Sequence, residues 1–203
     1  DVDCPLADTA AFIDSVERRE QRADSRAMAR LLLPASIAVV GASDAPGTVG
    51  QALWTQVAGN SRRRVYPVNP NHATIGGVPA FATIGDIPDE VTLAVIAVPA
   101  GELLTTIDQC IERRVRGAVV VTTIDDVTID VAGMVAHARG SGLRIIGPGS
   151  MGIASPLTDI DLQAALAEVR LPPGNVAMSM QSGSLASAVL RLAVNLQMPT
   201  SWF

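Results

Sequence analysis

Residues 36–53 read SIAVVGASDAPGTVGQAL, and this order of residue types narrows the folds open to the chain more than any other stretch. Ile37-Ala38-Val39-Val40 is a short apolar run rich in β-branched residues, the pattern of a strand covered on both faces as parallel sheets require. Gly41, Ala42 and Ser43, then Gly47, Thr48, Val49 and Gly50, follow at once. Small residues let a loop turn tightly and bring bare backbone N–H groups close to a ligand. The alternative is that they only turn the chain. Residues 48–58 read as a helix, so the loop ends where a helix N-terminus offers unpaired donors and a positive dipole end. Phosphate suits such a place best. Strand, glycine loop and helix in this order open a nucleotide-binding α/β unit, although the spacing departs from G-x-G-x-x-G.

With 203 residues, 48% of them apolar and 17% charged, the chain can build one good core and part of another. A net charge of −5 argues against the basic face that nucleic acid or anionic lipid demands, so neither partner is expected. The longest apolar runs are strand-sized, well short of the roughly 20 residues that cross a bilayer. No secretory leader precedes them, and a cytoplasmic location is expected. Cys4 and Cys110 lack metal or redox spacing and read as a tail thiol and a helix-core thiol. Residue 1 is Asp and the chain stops at Trp202-Phe203, which suggests a piece of something longer.

Residues 1–33 read as a linker and a charged, mostly solvated helix. Residues 34–155 carry the α/β rhythm. After the opening unit, Arg62-Arg63-Arg64 leads into Val65-Tyr66-Pro67-Val68 and then Asn69-Pro70-Asn71-His72. A dinucleotide fold needs Asp or Glu near the end of its second strand to hold a ribose hydroxyl, and Asn69 stands there instead. That weakens an NAD(P) reading and permits a phosphorylated adenosine, with His72 and the arginines as counter-charges. A solvated turn is the alternative for the arginines, and a surface histidine without a role for His72. Residues 93–98 form a further strand ending at Pro99-Ala100, residues 102–113 an amphipathic helix, and residues 118–123 and 144–146 further strands. Strand tips in such sheets face one crevice. Between residues 153 and 173 the pattern loosens, marking a domain boundary. Residues 172–203 open a second unit, in which Ser182, Gly183 and Ser184 start a helix as an anion site or as simple caps.

The ordered set Val40-Gly41-Ala42-Ser43, Gly47-Thr48-Val49-Gly50, Val65-Tyr66-Pro67-Val68-Asn69-Pro70, Gly77-Val78-Pro79, Ile87-Pro88, Ala94 to Ala100, Ile146-Gly147-Pro148 and Gln181-Ser182-Gly183-Ser184-Leu185 resembles the CoA-binding, succinyl-CoA synthetase α-subunit-like region of the NDP-forming acyl-CoA synthetases. The resemblance implies a Rossmann-like parallel-sheet CoA-binding domain, followed by the truncated start of a flavodoxin-like α/β domain. It implies coenzyme A with its phosphates near Ser43 to Gly50, its adenosine near Asn69, Pro70 and His72, and its pantetheine arm along Val98, Pro99 and Ala100. It also implies that Ser182, Gly183 and Ser184 steady a phosphohistidine. Neither His72 nor His137 fits the relay motif, so no catalytic residue is expected here. The family reaction joins acid and CoA at the expense of ATP, and needs an ATP-grasp domain or subunit and Mg²⁺, neither in this chain.

Two departures are expected to matter. Gly149-Ser150 replaces the family's Asn-Cys, and Thr122-Thr123-Ile124-Asp125-Asp126 brings acids toward a polyanion. The lead-in Val16-Glu17-Arg18-Arg19-Glu20 resembles the joint to an acetyltransferase domain in fused bacterial proteins. Two functions follow: the CoA-binding part of an acetate-type acyl-CoA synthetase, or a non-catalytic CoA-sensing module of an acetyltransferase fusion. An open edge at residues 176–180 would permit a homodimer.

Overall fold

The computed structural model describes residues 14, 15, 18, 19, 25, 31–59, 62–124, 129–167 and 170–203. Most of the charged lead-in, Cys4, Asp125 and Asp126 therefore lie outside the described residues. Five strands, β1 (Ser36–Val40), β2 (Arg64–Val68), β5 (Leu93–Ile96), β6 (Gly117–Val120) and β7 (Arg144–Ile146), form one sheet in the order β2-β1-β5-β6-β7. Every pairing in it is parallel. β2 lies at the edge, where Pro67 costs the ladder to β1 no hydrogen bond, because its missing N–H is on the side away from β1. Phe81 partly closes that edge, its N–H donating to the Pro67 carbonyl at 3.0 Å and its carbonyl accepting from Asn69 N at 2.9 Å.

The alternation of residues along the central strands explains why they are apolar throughout. Ala38, Val40, Ala94, Ile96, Ala118 and Val120 face one core, with Leu103, Ile107 and Cys110 of α2 (Leu103–Glu112) and Met134 and Ala138 of α3 (Val131–Gly140). Ile37, Val39, Leu93, Val95 and Val119 face the other, with Leu53, Trp54 and Val57 of α1 (Val49–Gly59). A strand with apolar layers on both sides has no polar face to alternate with. Cys110 is fully buried, and burial pushes its thiol up to about 12.

The stretch between residues 153 and 173 is not the loose connection that its prolines suggested. β8 (Gly152–Ser155) and β9 (Leu162–Ala165) pair as an antiparallel hairpin, and Ile153, Leu162 and Ala164 complete the core beside α1. Thus α2 and α3 cover one face of the sheet, and α1 and a hairpin cover the other. The described chain ends with β10 (Pro173–Ala177), α4 (Gly183–Asn195) and β11 (Thr200–Trp202), where β10 and β11 pair in parallel. Leu171, Leu190 and Ala193 form a small core there. Ala154 of β8 exchanges two backbone hydrogen bonds with Phe203, at 2.8 and 2.9 Å. Two short strands, β3 (Thr74–Ile75) and β4 (Val78–Pro79), make a separate antiparallel pair after β2.

Candidate functional site

The chain leaves β1 for β2 on one side and returns to β5 on the other, so strand order reverses at the β1/β5 junction. Open parallel sheets leave a crevice outside the carboxyl ends of the strands at such a point. A cavity of about 430 Å³ lies there, lined at the strand tips by Val40, Gly41, Val68 and Asn69, and by Ala97, Val98 and Pro99.

Gly41 turns the chain out of β1 at φ +83°, a left-handed conformation that L side chains rarely take. A Cβ there would overlap the Ala97 carbonyl oxygen and sit 2.8 Å from its carbon. Its N–H donates to the Val68 carbonyl at 2.9 Å, pinning the tips of β1 and β2 together. Gly50, in the first turn of α1, packs so closely that a Cβ would overlap the Gly41 carbonyl. These two glycines answer to packing of the chain on itself. Gly47 differs: it also has positive φ, +79°, but faces open space.

Thr48 caps α1, accepting from Gln51 N at 3.2 Å while its hydroxyl donates to the Ala45 carbonyl at 2.8 Å. Ser43 Oγ accepts from Ala45 N at 3.0 Å. With these local bonds made, the amides of Ser43, Gly47, Val49 and Gly50 take no partner among the described residues. Both carboxylate oxygens of Asp44 accept from Gly76 N, at 2.8 and 3.1 Å.

Asn69 is a clamp. Its Nδ2 donates to the Ala42 carbonyl at 2.8 Å, and its Oδ1 accepts from Asn71 N at 2.9 Å. An Asp could accept from Asn71 but would face the Ala42 carbonyl without a proton to give. The missing acid of the dinucleotide pattern thus has a local structural reason as well as a bearing on ligand choice.

Of the residues singled out in the sequence, Gly41, Asn69, Pro70, Val98 and Pro99 line this cavity. Ala42 is buried, Ser43, Gly47, Thr48, Val49 and Gly50 form the adjoining loop, and Ala100 starts the turn leading into α2. His72 is exposed and does not line the cavity. The arginine triplet cannot supply counter-charge at the rim, because it lies at the start of β2, the opposite end of the strand. Arg63 donates to the Ile160 and Asp161 carbonyls, the latter at 3.1 Å, and Arg64 pairs with Asp89 at 3.1 Å. The Tyr66 hydroxyl also donates to Asp89, at 2.5 Å, and this bond holds the Asp89 carboxyl below its ordinary value. One polar stripe went unnoticed in the sequence: Glu102, Thr105, Thr106 and Gln109 of the turn and α2 line the cavity. Their spacing of three and four along one helix face was the available signal.

A second cavity, about 650 Å³, opens between the tips of β7 and β10. Ile146 to Ile153 line one side, Ala177 to Gln181, Gly183 and Ala186 another, and Leu32, Trp202 and Phe203 the rest. Of the three predicted phosphate-steadying residues only Gly183 lines it. Ser182 acts as the N-cap of α4, its Oγ accepting from Leu185 N at 3.3 Å, and Ser184 is exposed. Among the described residues no group of three or more His, Cys, Asp or Glu side chains could hold a metal ion. No described helix is long and apolar enough to cross a membrane.

Residues 35–156 match a family model described as a CoA binding domain. The chain belongs to that family. An ADP-forming acetate–CoA ligase of Methanocaldococcus jannaschii is 33% identical over 163 residues, covering 79% of this chain and 23% of the relative. The α subunit of ADP-forming acetate–CoA ligase II of Pyrococcus furiosus is 35% identical over 162 residues, covering 77% of this chain and 35% of the relative. Among solved structures, PH0766 of Pyrococcus horikoshii superposes with a TM-score of 0.79 at 34% identity, over 87% of this chain and 41% of that one. A dinucleotide-forming acetyl-coenzyme A synthetase 1 of Ca. Korarchaeum cryptofilum, solved with phosphate and ADP, gives 0.78 at 32% identity, over 85% of this chain and 38% of that one. The chain therefore spans about a quarter to a third of these curated relatives. The Rossmann-like expectation holds for the parallel sheet and its helices.

Proposed function

We propose that this chain is the CoA-binding part of an ADP-forming acyl-CoA synthetase, which presents CoA for ligation to an acid at the expense of ATP. One observation carries the reading: a loop of unpartnered amides, Ser43, Gly47, Val49 and Gly50, stands at the carboxyl rim beside a crevice at the point where strand order reverses. The CoA diphosphate lies on those amides, and the pantetheine arm runs past Val98, Pro99 and Ala100. The adenosine lies toward Asn69, Pro70 and His72. Ser182, Gly183 and Ser184 begin the helix of a second α/β unit, residues 172–203, and steady a phosphorylated group beside the second cavity. The acid-activating step, ATP and Mg²⁺ belong to an ATP-grasp domain or subunit, and the whole assembly acts in the cytoplasm, as a dimer where the β10 edge pairs. Nothing among the described residues favours the acetyltransferase-linked sensing module over this reading.

Calorimetric titration of the chain with CoA, NAD⁺ and ATP tests the ligand. Saturable binding of CoA with no heat from NAD⁺ is expected. Binding of NAD⁺ as tight as that of CoA, or no binding of CoA, would refute the proposal.

A further inference from the structure

Cation placement around the crevice limits which part of the ligand can be recognised. All fifteen basic residues of the chain are arginine, for it contains no lysine. In the sheet domain the described arginines sit at strand starts or in the connections that lead into them. Arg62 and Arg63 lead into β2 and Arg64 begins it; Arg113, Arg114 and Arg116 precede β6; Arg139 ends α3 and Arg144 begins β7. In a parallel sheet all of these positions lie on the side away from the crevice. Lining the 430 Å³ cavity, the one charged side chain among the described residues is Glu102, and the rest are neutral. In the loop of residues 41–50 the one charged side chain is Asp44.

Backbone amides can hold a diphosphate without any cation. A terminal phosphomonoester carries close to two charges, and strong recognition of it draws on Arg or Lys in charge-assisted hydrogen bonds. Resting on the CoA reading above, we infer that this site does not read the 3′-phosphate of CoA and accepts 3′-dephospho-CoA equally well. The determinants are the diphosphate on bare amides and the uncharged pantetheine arm against Thr105, Thr106 and Gln109. His72, exposed and outside the cavity lining, is too weakly placed to add more than a surface ion pair, and such pairs change affinity by no more than about fivefold.

The test is a pair of calorimetric titrations of this chain, with CoA and with dephospho-CoA, at about 0.01 M ionic strength, where charges are felt over about 30 Å. Dissociation constants within about fivefold of each other, or tighter binding of dephospho-CoA, are expected. Binding of CoA more than about fivefold tighter than that of dephospho-CoA overturns the inference while leaving the CoA reading intact. Absence of binding by both compounds overturns the CoA reading itself, and the inference with it.

Discussion

Gly41→Ala separates close approach from loop flexibility as the reason for the glycines at the rim. Two penalties apply at this position. A left-handed φ of +83° costs an alanine about 1–2 kcal/mol. Its Cβ must also push back the Ala97 carbonyl, and overpacking of this kind costs about 1–3 kcal/mol. Together they come to about 2–5 kcal/mol, a large part of the 5–15 kcal/mol that holds a typical domain. Gly47→Ala carries only the first penalty, since its Cβ would meet open space at φ +79°. Gly101→Ala, with neither penalty, is the neutral control. Urea unfolding of the three variants, compared at constant slope, should place Gly41→Ala about 2 kcal/mol below Gly47→Ala, the share assigned to overlap. CoA titration of whatever folded Gly41→Ala remains should show weakened binding, because the displaced tip carries the N–H that pins β1 to β2. Equal losses in Gly41→Ala and Gly47→Ala would refute the packing argument, and the loop would then be a plain turn.

Cys110 gives a pH signature. Its folded pKa is raised from 9.0 to about 12 by burial, so the native state keeps a proton that the unfolded chain releases. Its stabilising contribution is complete below about pH 9 and is lost as pH rises toward 12, at up to about 1.4 kcal/mol per unit. Tyr66, also raised by burial, pulls in the same direction, so the measurement is the difference in alkaline unfolding slope between the parent and Cys110→Ala. Equal slopes above pH 9 would disprove the burial. Asn69→Ala should cost about 1–2 kcal/mol in urea unfolding by leaving the Ala42 carbonyl and the Asn71 N–H unpaired, and Asn69→Asp at least as much. A neutral Asn69→Asp would show that the bond to Ala42 is not made.

Much of this was legible because it is local. The run from Ile37 to Val40 has no polar alternation, and only a strand with cover on both faces tolerates that. Cys110 falls on the apolar face of an amphipathic helix, so its burial followed from spacing. What escaped depends on direction or on distant partners. The arginine triplet is next to Val65 in sequence but enters β2 from the far end, and a strand separates its two ends by its whole length. The role of Asn69 depends on a carbonyl 27 residues earlier. The β8–β9 hairpin hid because Gly152-Ile153-Ala154-Ser155 and Leu162-Gln163-Ala164-Ala165 are buried on every residue but the first, leaving small side chains in place of an alternating signal. Thr122, read as part of a departure near the ligand, ties the tips of β5 and β6 through a 2.7 Å bond to the Val98 carbonyl.

Segregation of the described arginines of the sheet domain to the strand-start side has a kinetic consequence. A polyanion approaching the crevice meets the Asp44 and Glu102 end of a molecule with formal charge −5, so the long-range field slows encounter instead of steering it. Added salt screens this repulsion. The association rate should therefore climb with ionic strength, the reverse of a protein that draws its nucleotide in with lysines.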